Sequence, residues 1–432
     1  MGTGPRIGRR GLLRLGATTG VALAFGGRFG IALSATTRTL YRHAAIADGR
    51  SSVLARDMSV LVTGRTITWI ADSDSEPSPG PSNGLTIVDA RGLTIVPGLV
   101  DGHCHLTSPG GKNYIAHFSD SPRTLLKTAE KNGALSHAAG IAWLREAGAP
   151  TVADPVDGRR RALSLGIRDR WESRTDRPRV RAAGTWIQVP GGLSGGLGIV
   201  VRNADELVAA VHGQLDKGAD LIKLYVEAGN GSRESPWSAA EIGRAVAAAH
   251  GRGARIAAHA MWLAPARAAV AGGVDSIEHG FHLDADLCAD MARRGTYHVT
   301  TLTVPKSWLR IGANTSGTWW STRAGKRYAR KLLAAGEASV ALARQASVKT
   351  CAGSDFGGGS TRAGQLAWEV ESLVTAGLQP WQALGAATWR GGDLLGETNA
   401  GRLREGGPAD FFLVDGDPYS DPSALWNVAR LA

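Results

Sequence analysis

The stretch Pro97-Gly-Leu-Val-Asp-Gly-His103-Cys-His105-Leu decides the reading of this chain. On a strand, residues two apart face the same side, so His103 and His105 point together while Cys104 points away. Two neutral imidazoles whose Cα atoms lie about 6–7 Å apart can share one metal ion. A lone His-x-His says little. Here it closes an apolar run, and in a (β/α)8 barrel the C-terminal ends of the strands are where catalytic groups gather.

The pattern on either side supports such a barrel. Strand-like apolar runs fall at 94–100, 149–154, 179–187, 219–226, 255–260, 276–280, 297–304 and 349–355. Ala-rich amphipathic segments at 203–217, 238–251, 263–272, 284–295 and 325–346 read as helices between them. Eight such runs alternating with helices predict an α/β fold, a (β/α)8 TIM barrel over 93–392. A doubly wound open sheet is the alternative, but no Gly-x-Gly-x-x-Gly follows the first run. Segments 39–92 and 393–432 are rich in short strands, among them Ser59-Val-Leu-Val-Thr, Leu85-Thr-Ile-Val-Asp and Asp410-Phe-Phe-Leu-Val. They are expected to pair as a small β-sandwich domain built from both ends of the chain.

The other chemically loaded residues also close apolar runs: Lys223 in Ala219-Asp-Leu-Ile-Lys-Leu-Tyr, His259 in Arg255-Ile-Ala-Ala-His, His279 in Asp275-Ser-Ile-Glu-His-Gly and Asp355 in Thr350-Cys-Ala-Gly-Ser-Asp. A single strand histidine is usually a hydrogen-bonded core residue. Four histidines, a lysine and an aspartate at the ends of several strands would meet at one barrel mouth.

Composition narrows the class. With 432 residues, 43% hydrophobic and 20% charged, the chain suits one large globular unit plus a small one. The net charge of +11 is not gathered into a basic stripe interleaved with aromatics, so nucleic-acid binding is not expected. Arg6, Arg9, Arg10, Arg14 and Arg28 crowd an acid-free beginning, and the Arg9-Arg10 pair precedes a short, weakly apolar stretch. Residues 1–35 therefore read as a twin-arginine signal peptide, with export as the expected localisation; a disordered basic tail is the alternative. Three cysteines, Cys104, Cys288 and Cys351, make no disulfide framework.

Taken together, these motifs resemble the amidohydrolase superfamily, in its imidazolonepropionase-like and prolidase-like branch. The resemblance covers roughly residues 40–432. It rests on Leu93-Thr-Ile-Val-Pro-Gly-Leu-Val-Asp-Gly-His-Cys-His, Gly218-Ala-Asp-Leu-Ile-Lys, Gly273-Val-Asp-Ser-Ile-Glu-His-Gly, Ala352-Gly-Ser-Asp and the tail Gly401-Arg-Leu-Arg-Glu-Gly-Gly-Pro-Ala-Asp. It implies two divalent metal ions, zinc by ligand type. His103, His105 and Asp355 would hold the more buried ion, His259 and His279 the second, and a carboxylated Lys223 would bridge both. A free lysine, with a pKa of about 10.4, holds a proton and is a poor ligand, whereas a carbamate is an anionic bridging one. A buried salt bridge is the alternative for Lys223. Relatives often carry Thr, His and a further His where this chain has Ser354, Leu193 and no histidine after Asp355.

The implied reaction is hydrolysis of an amide C–N bond by a metal-bridging hydroxide. Asp355 is the expected proton carrier. Tyr225, two residues after Lys223, would donate to the carbonyl oxygen or to a substrate carboxylate, unless it only fills the barrel. Trp186, Trp237, Trp262, Trp308, Trp319 and Trp320 fall in loops that either wall a pocket or cover the core. In the seventh loop, which also holds Lys306 and Arg323, Arg310 is the candidate for binding a substrate carboxylate. The expected substrate is peptide-like or an N-acyl amino acid. The alternatives are a one-metal hydrolase of cyclic amides (imidazolones or lactams) and a non-catalytic homologue. The implied partners are the small-molecule amide or peptide, the twin-arginine export machinery and, optionally, further copies of the chain in a homo-oligomer.

Overall fold

The computed structural model describes residues 37–77, 84–192, 197–229 and 233–432. The twin-arginine segment and Leu193 lie outside the described residues.

Both ends of the chain meet in one sheet. Strands Arg38–Ile46, Ala55–Thr63, Thr66–Asp72, Leu85–Asp89 and Leu93–Pro97 are joined by Phe411–Asp415 and Val428–Leu431. Phe411–Asp415 runs antiparallel to Leu93–Pro97, pairing Phe412 with Val96 and Leu413 with Ile95. Arg38–Ile46 pairs with Leu85–Asp89 over its first half and with Leu93–Pro97 at its end. It changes partner at a bulge where His43 has φ +59°. That bend lets one strand serve both neighbours, and hydrogen bonds link all seven strands, from both ends of the chain, into one sheet.

Alternation explains the unbroken apolar run at the C-terminal end. Phe411 and Leu413 pack with Tyr41, Val60, Ile67 and Ile95 on one face. Phe412 and Val414 face the other way, into the larger core with Val96, Leu99 and Leu144. A strand buried on both faces has no polar side to show.

Eight parallel strands position the site: β1 (Leu99–Cys104), β2 (Ile141–Glu146), β3 (Arg179–Ala182), β4 (Leu221–Tyr225), β5 (Arg255–Ala260), β6 (Ser276–His279), β7 (Tyr297–Thr300) and β8 (Thr350–Ala352). They form two ladders, β1-β2-β3 and β4 through β8, the second extended beside β4 by the short strands Ile187–Gln188 and Ile199–Val200. Between the ladders, Asp220 N–H donates to Ala182 O at 2.9 Å and Asp355 N–H to His103 O at 2.8 Å. A parallel bridge also joins Cys104 to Phe356. Helices Ala204–Asp216, Ala239–His250, Leu263–Ala271, Ala285–Arg294 and Arg323–Gln345 follow the expected amphipathic segments. Ser238 and Glu241 form a capping box at the start of Ala239–His250.

Two strand expectations are corrected. The run at 94–100 divides at Gly98: Leu93–Pro97 belongs to the terminal sheet, and the parallel strand begins at Leu99. The run at 149–154 is no parallel strand. Thr151–Ala153 pairs antiparallel with Arg160–Ala162, and the second parallel strand lies earlier, at Ile141–Glu146. Its Arg145 and Glu146 disguised it, yet both are buried. The region after β7 also differs, since Thr303–Asn314 is a helix.

Candidate metal centre

The strand ends deliver the six candidates to one place. His103 lies in β1 and His105 just beyond it; Lys223, His259 and His279 lie in β4, β5 and β6; Asp355 follows β8. His103 Nε2 is 3.6 Å and His105 Nε2 3.4 Å from the same Asp355 Oδ1. Lys223 Nζ lies 3.4 Å from His103 Nε2. Ring centroids are 4.9 Å apart for His103 and His279 and 4.6 Å for His259 and His279. The donor atoms of His103, His105 and Asp355 all fall within 4.8 Å of one another.

Each imidazole has one nitrogen committed elsewhere. His103 Nδ1 bonds Glu278 Oε2 at 2.6 Å, His105 Nδ1 donates to Gly148 O at 2.8 Å, and His279 Nδ1 meets Thr301 Oγ1 at 2.8 Å. In these three, Nε2 is the nitrogen left to an ion. His259 turns Nε2 to Glu227, 3.3 Å away, and its buried Nδ1 has no hydrogen-bond partner. Such outer bonds fix ring orientation and tautomer in metal-binding histidines. Asp355 Oδ1 is likewise buried without a hydrogen-bond partner. A carboxylate oxygen left that way beside two histidine nitrogens fits a cation.

The electrostatics agree. Burial holds His103 and His279 well below the usual imidazole range and His105 down at about 3, so these rings are neutral, as metal ligands must be. Burial lowers the Lys223 ammonium and raises the Asp355 carboxyl. Burial opposes ionisation of Glu278 too, but Arg145 and Lys223 outweigh it and keep this carboxyl below its ordinary value. Arg145 grips both Glu278 oxygens at 2.7 and 2.6 Å, and Ser276 Oγ donates at 2.6 Å.

The backbone is unusual at two of the candidates. His279 has φ +70° and Asp355 φ +47°, both in the left-handed region that residues other than glycine seldom occupy. Such conformations persist where surrounding contacts over-determine them, and they cluster at functional sites. Gly358 is confined by the same centre: a Cβ there would sit 2.2 Å from Asp355 Oδ1 and 2.3 Å from His105 Cδ2. Ser354 donates through N–H and Oγ to the buried Asp101, at 2.9 and 2.5 Å, which ties the end of β8 to β1.

A cavity of about 310 Å³ opens over the centre, walled in part by Tyr114, Phe118, Trp186, Tyr225, Phe281 and Trp308. Tyr225 stacks on His259 with centroids 4.2 Å apart. Of the six loop tryptophans, Trp186 and Trp308 line the cavity. Trp237 is buried in the core, Trp319 is half exposed, and Trp320 stacks on Trp308. Arg310 is not brought to the site. The helix Thr303–Asn314 turns it outward, exposed, with its guanidinium 5.8 Å from the Trp368 ring. Lys306 donates to Ser372 Oγ at 2.8 Å instead. Sequence reading had assigned no role to Glu278, Arg145, Glu227 or Thr301. A polar Ser276-Ile-Glu278 alternation inside an apolar strand was the one available signal.

Against known proteins, the amidohydrolase family model matches residues 94–431. An uncharacterised protein of Mycobacterium tuberculosis is 31% identical over 362 residues, covering 83% of this chain and 88% of the relative. Among solved structures, a Xaa-Pro dipeptidase with bound methionine in its active site superposes with a TM-score of 0.78 at 24% identity, over 91% of this chain and 97% of that one. A crystal structure of an amidohydrolase gives 0.74 at 26% identity, over 90% and 95%. The fold and site are those of a metal-dependent hydrolase acting on carbon–nitrogen bonds. The chain belongs to the amidohydrolase family.

Proposed function

We propose that this chain is a two-zinc amidohydrolase that cleaves the C–N bond of a small, peptide-like amide. The observation that carries this reading is the Asp355 carboxylate, buried with one oxygen unpartnered between His103 and His105. His103, His105 and Asp355 would hold one ion, and His259 and His279 the other. Lys223, carboxylated on Nζ, would bridge them. Burial that lowers the Lys223 pKa favours the neutral amine, the form able to take up carbon dioxide. The eight strands would close as a (β/α)8 barrel through the β1–β8 and β3–β4 contacts.

When bound, the ions supply an activated water and a Lewis acid for the amide carbonyl. The chain's own groups do the rest. Asp355 accepts the water's proton and returns it to the departing nitrogen, so the carbonyl gains a hydroxyl as the C–N bond breaks. Tyr225, whose phenol burial keeps protonated, can donate a hydrogen bond to the carbonyl oxygen. Glu278, held by Arg145, fixes the tautomer of His103.

A second reading, one ion and a cyclic amide, is favoured by the compactness of the His103, His105 and Asp355 group alone. Metal analysis of the purified protein separates the two: the first expects two zinc ions per chain, and one fully active ion supports the second. Export through the twin-arginine route is proposed from Arg9 and Arg10. Secretion that continues after both are replaced by lysine would contradict it.

A further inference from the structure

The walls of the cavity carry information about charge. Among the described residues that line it there is no lysine or arginine. Three cations of the neighbouring segments are engaged by other groups: Arg233 lies 4.2 Å over the Trp262 ring, Lys306 bonds Ser372, and Arg310 sits over Trp368. Away from the metal ligands the lining is apolar or aromatic, with Phe118, Trp186, Met261, Phe281 and Val304. Its polar groups include the phenols of Tyr114 and Tyr225. A volume of about 310 Å³ is the lower end of ligand cavities and suits one small molecule.

From this we infer that the substrate is an uncharged amide with an apolar, aromatic-compatible body and no free carboxylate on the part the cavity encloses. A carboxylate taken from water into such walls loses its hydration and meets no lysine or arginine to replace it. This deepens the amide-hydrolase reading and rests on it, and it sets aside N-acyl amino acids, whose carboxylate would need the cation once assigned to Arg310. In the reaction, water adds to the carbonyl carbon, the C–N bond breaks, and one proton of that water passes to the leaving amine. The acid product is the first charged species the cavity must release.

The test uses a matched pair on the zinc-loaded enzyme: 4-isopropylacetanilide and 4-acetamidobenzoate, alike in shape at the para position but neutral and anionic. Their non-reacting amines, 4-isopropylaniline and 4-aminobenzoate, are titrated by calorimetry. Both comparisons are expected to favour the neutral compound about 100-fold, although the carboxylate makes the better leaving amine. Equal or tighter handling of the anionic pair overturns the inference, as does absence of binding by 4-isopropylaniline. Binding preference without release of either aniline upholds the inference and counts against amide hydrolysis. Ile115 lines the same cavity yet is 40% exposed, so Ile115→Arg should fold. It is expected to shrink the preference to about 10-fold or less by supplying the missing cation. An unchanged ratio in that variant would also overturn the inference.

Discussion

The metal mouth and the terminal sheet are both buried, and they are built on opposite terms. In the terminal sheet, Phe411, Phe412, Leu413 and Val414 are buried apolar residues in ordinary strand pairing. At the mouth, His103, Lys223, Glu278, His279 and Asp355 are buried polar residues, and two of them hold backbone conformations that side chains resist. One region spends little on anything except cohesion. The other carries desolvated charge, which fits a ligand or a reaction. The contrast teaches where function lies: stability should depend on the first region and chemistry on the second.

Substitutions can break that contrast. The largest expected effect is on turnover. His103→Asn or His259→Asn should abolish it, by at least about 1,000-fold, because each removes a ligand, while circular dichroism and thermal melting stay close to wild type. An active variant of either kind would remove that residue from the centre. Phe412→Ala should do the opposite. It leaves a cavity between the sheet and the larger core, where Phe412 is fully buried against the backbone turn at Gly140. The expected cost is about 3–5 kcal/mol in denaturant unfolding, with turnover per folded molecule unchanged. A stable but inactive Phe412→Ala protein would blur the division.

A smaller effect tests the layer that joins the two. Glu278→Gln keeps the shape but loses the charge that meets both His103 and Arg145. Metal affinity and turnover should fall by about 10–100-fold, measured by zinc titration against a competing chelator. If affinity is unmoved, Glu278 only neutralises Arg145.

How far the sequence could be read follows the same division. The convergence of the six candidates was legible because histidine, lysine and aspartate closing apolar strands have no reason to be there in a plain core. The partner of His103 was not legible: Glu278 lies 175 residues away and meets it only through the fold. β2 was missed because Arg145 and Glu146 look like surface residues, though the interior pairs Arg145 with Glu278. Residues 94–97 read as part of the barrel strand because the short, mostly apolar stretch before Gly98 carries no sign of which neighbour it will pair with. The expected carboxylate anchor at Arg310 failed because a helix, where a loop was expected, turned it outward.

The most direct test of a bridged metal centre is zinc content and turnover measured together on Lys223→Ala and Lys223→Arg. A carbamate at Lys223 would be an anion shared by both ions. Both variants should then lose activity and most of the metal, and a short carboxylic acid supplied with bicarbonate should partly restore Lys223→Ala alone. Arginine stays cationic and repels the ions. A Lys223→Arg protein that kept its zinc and its activity would contradict the bridged centre and leave Lys223 as a buried cation paired with its acidic neighbours.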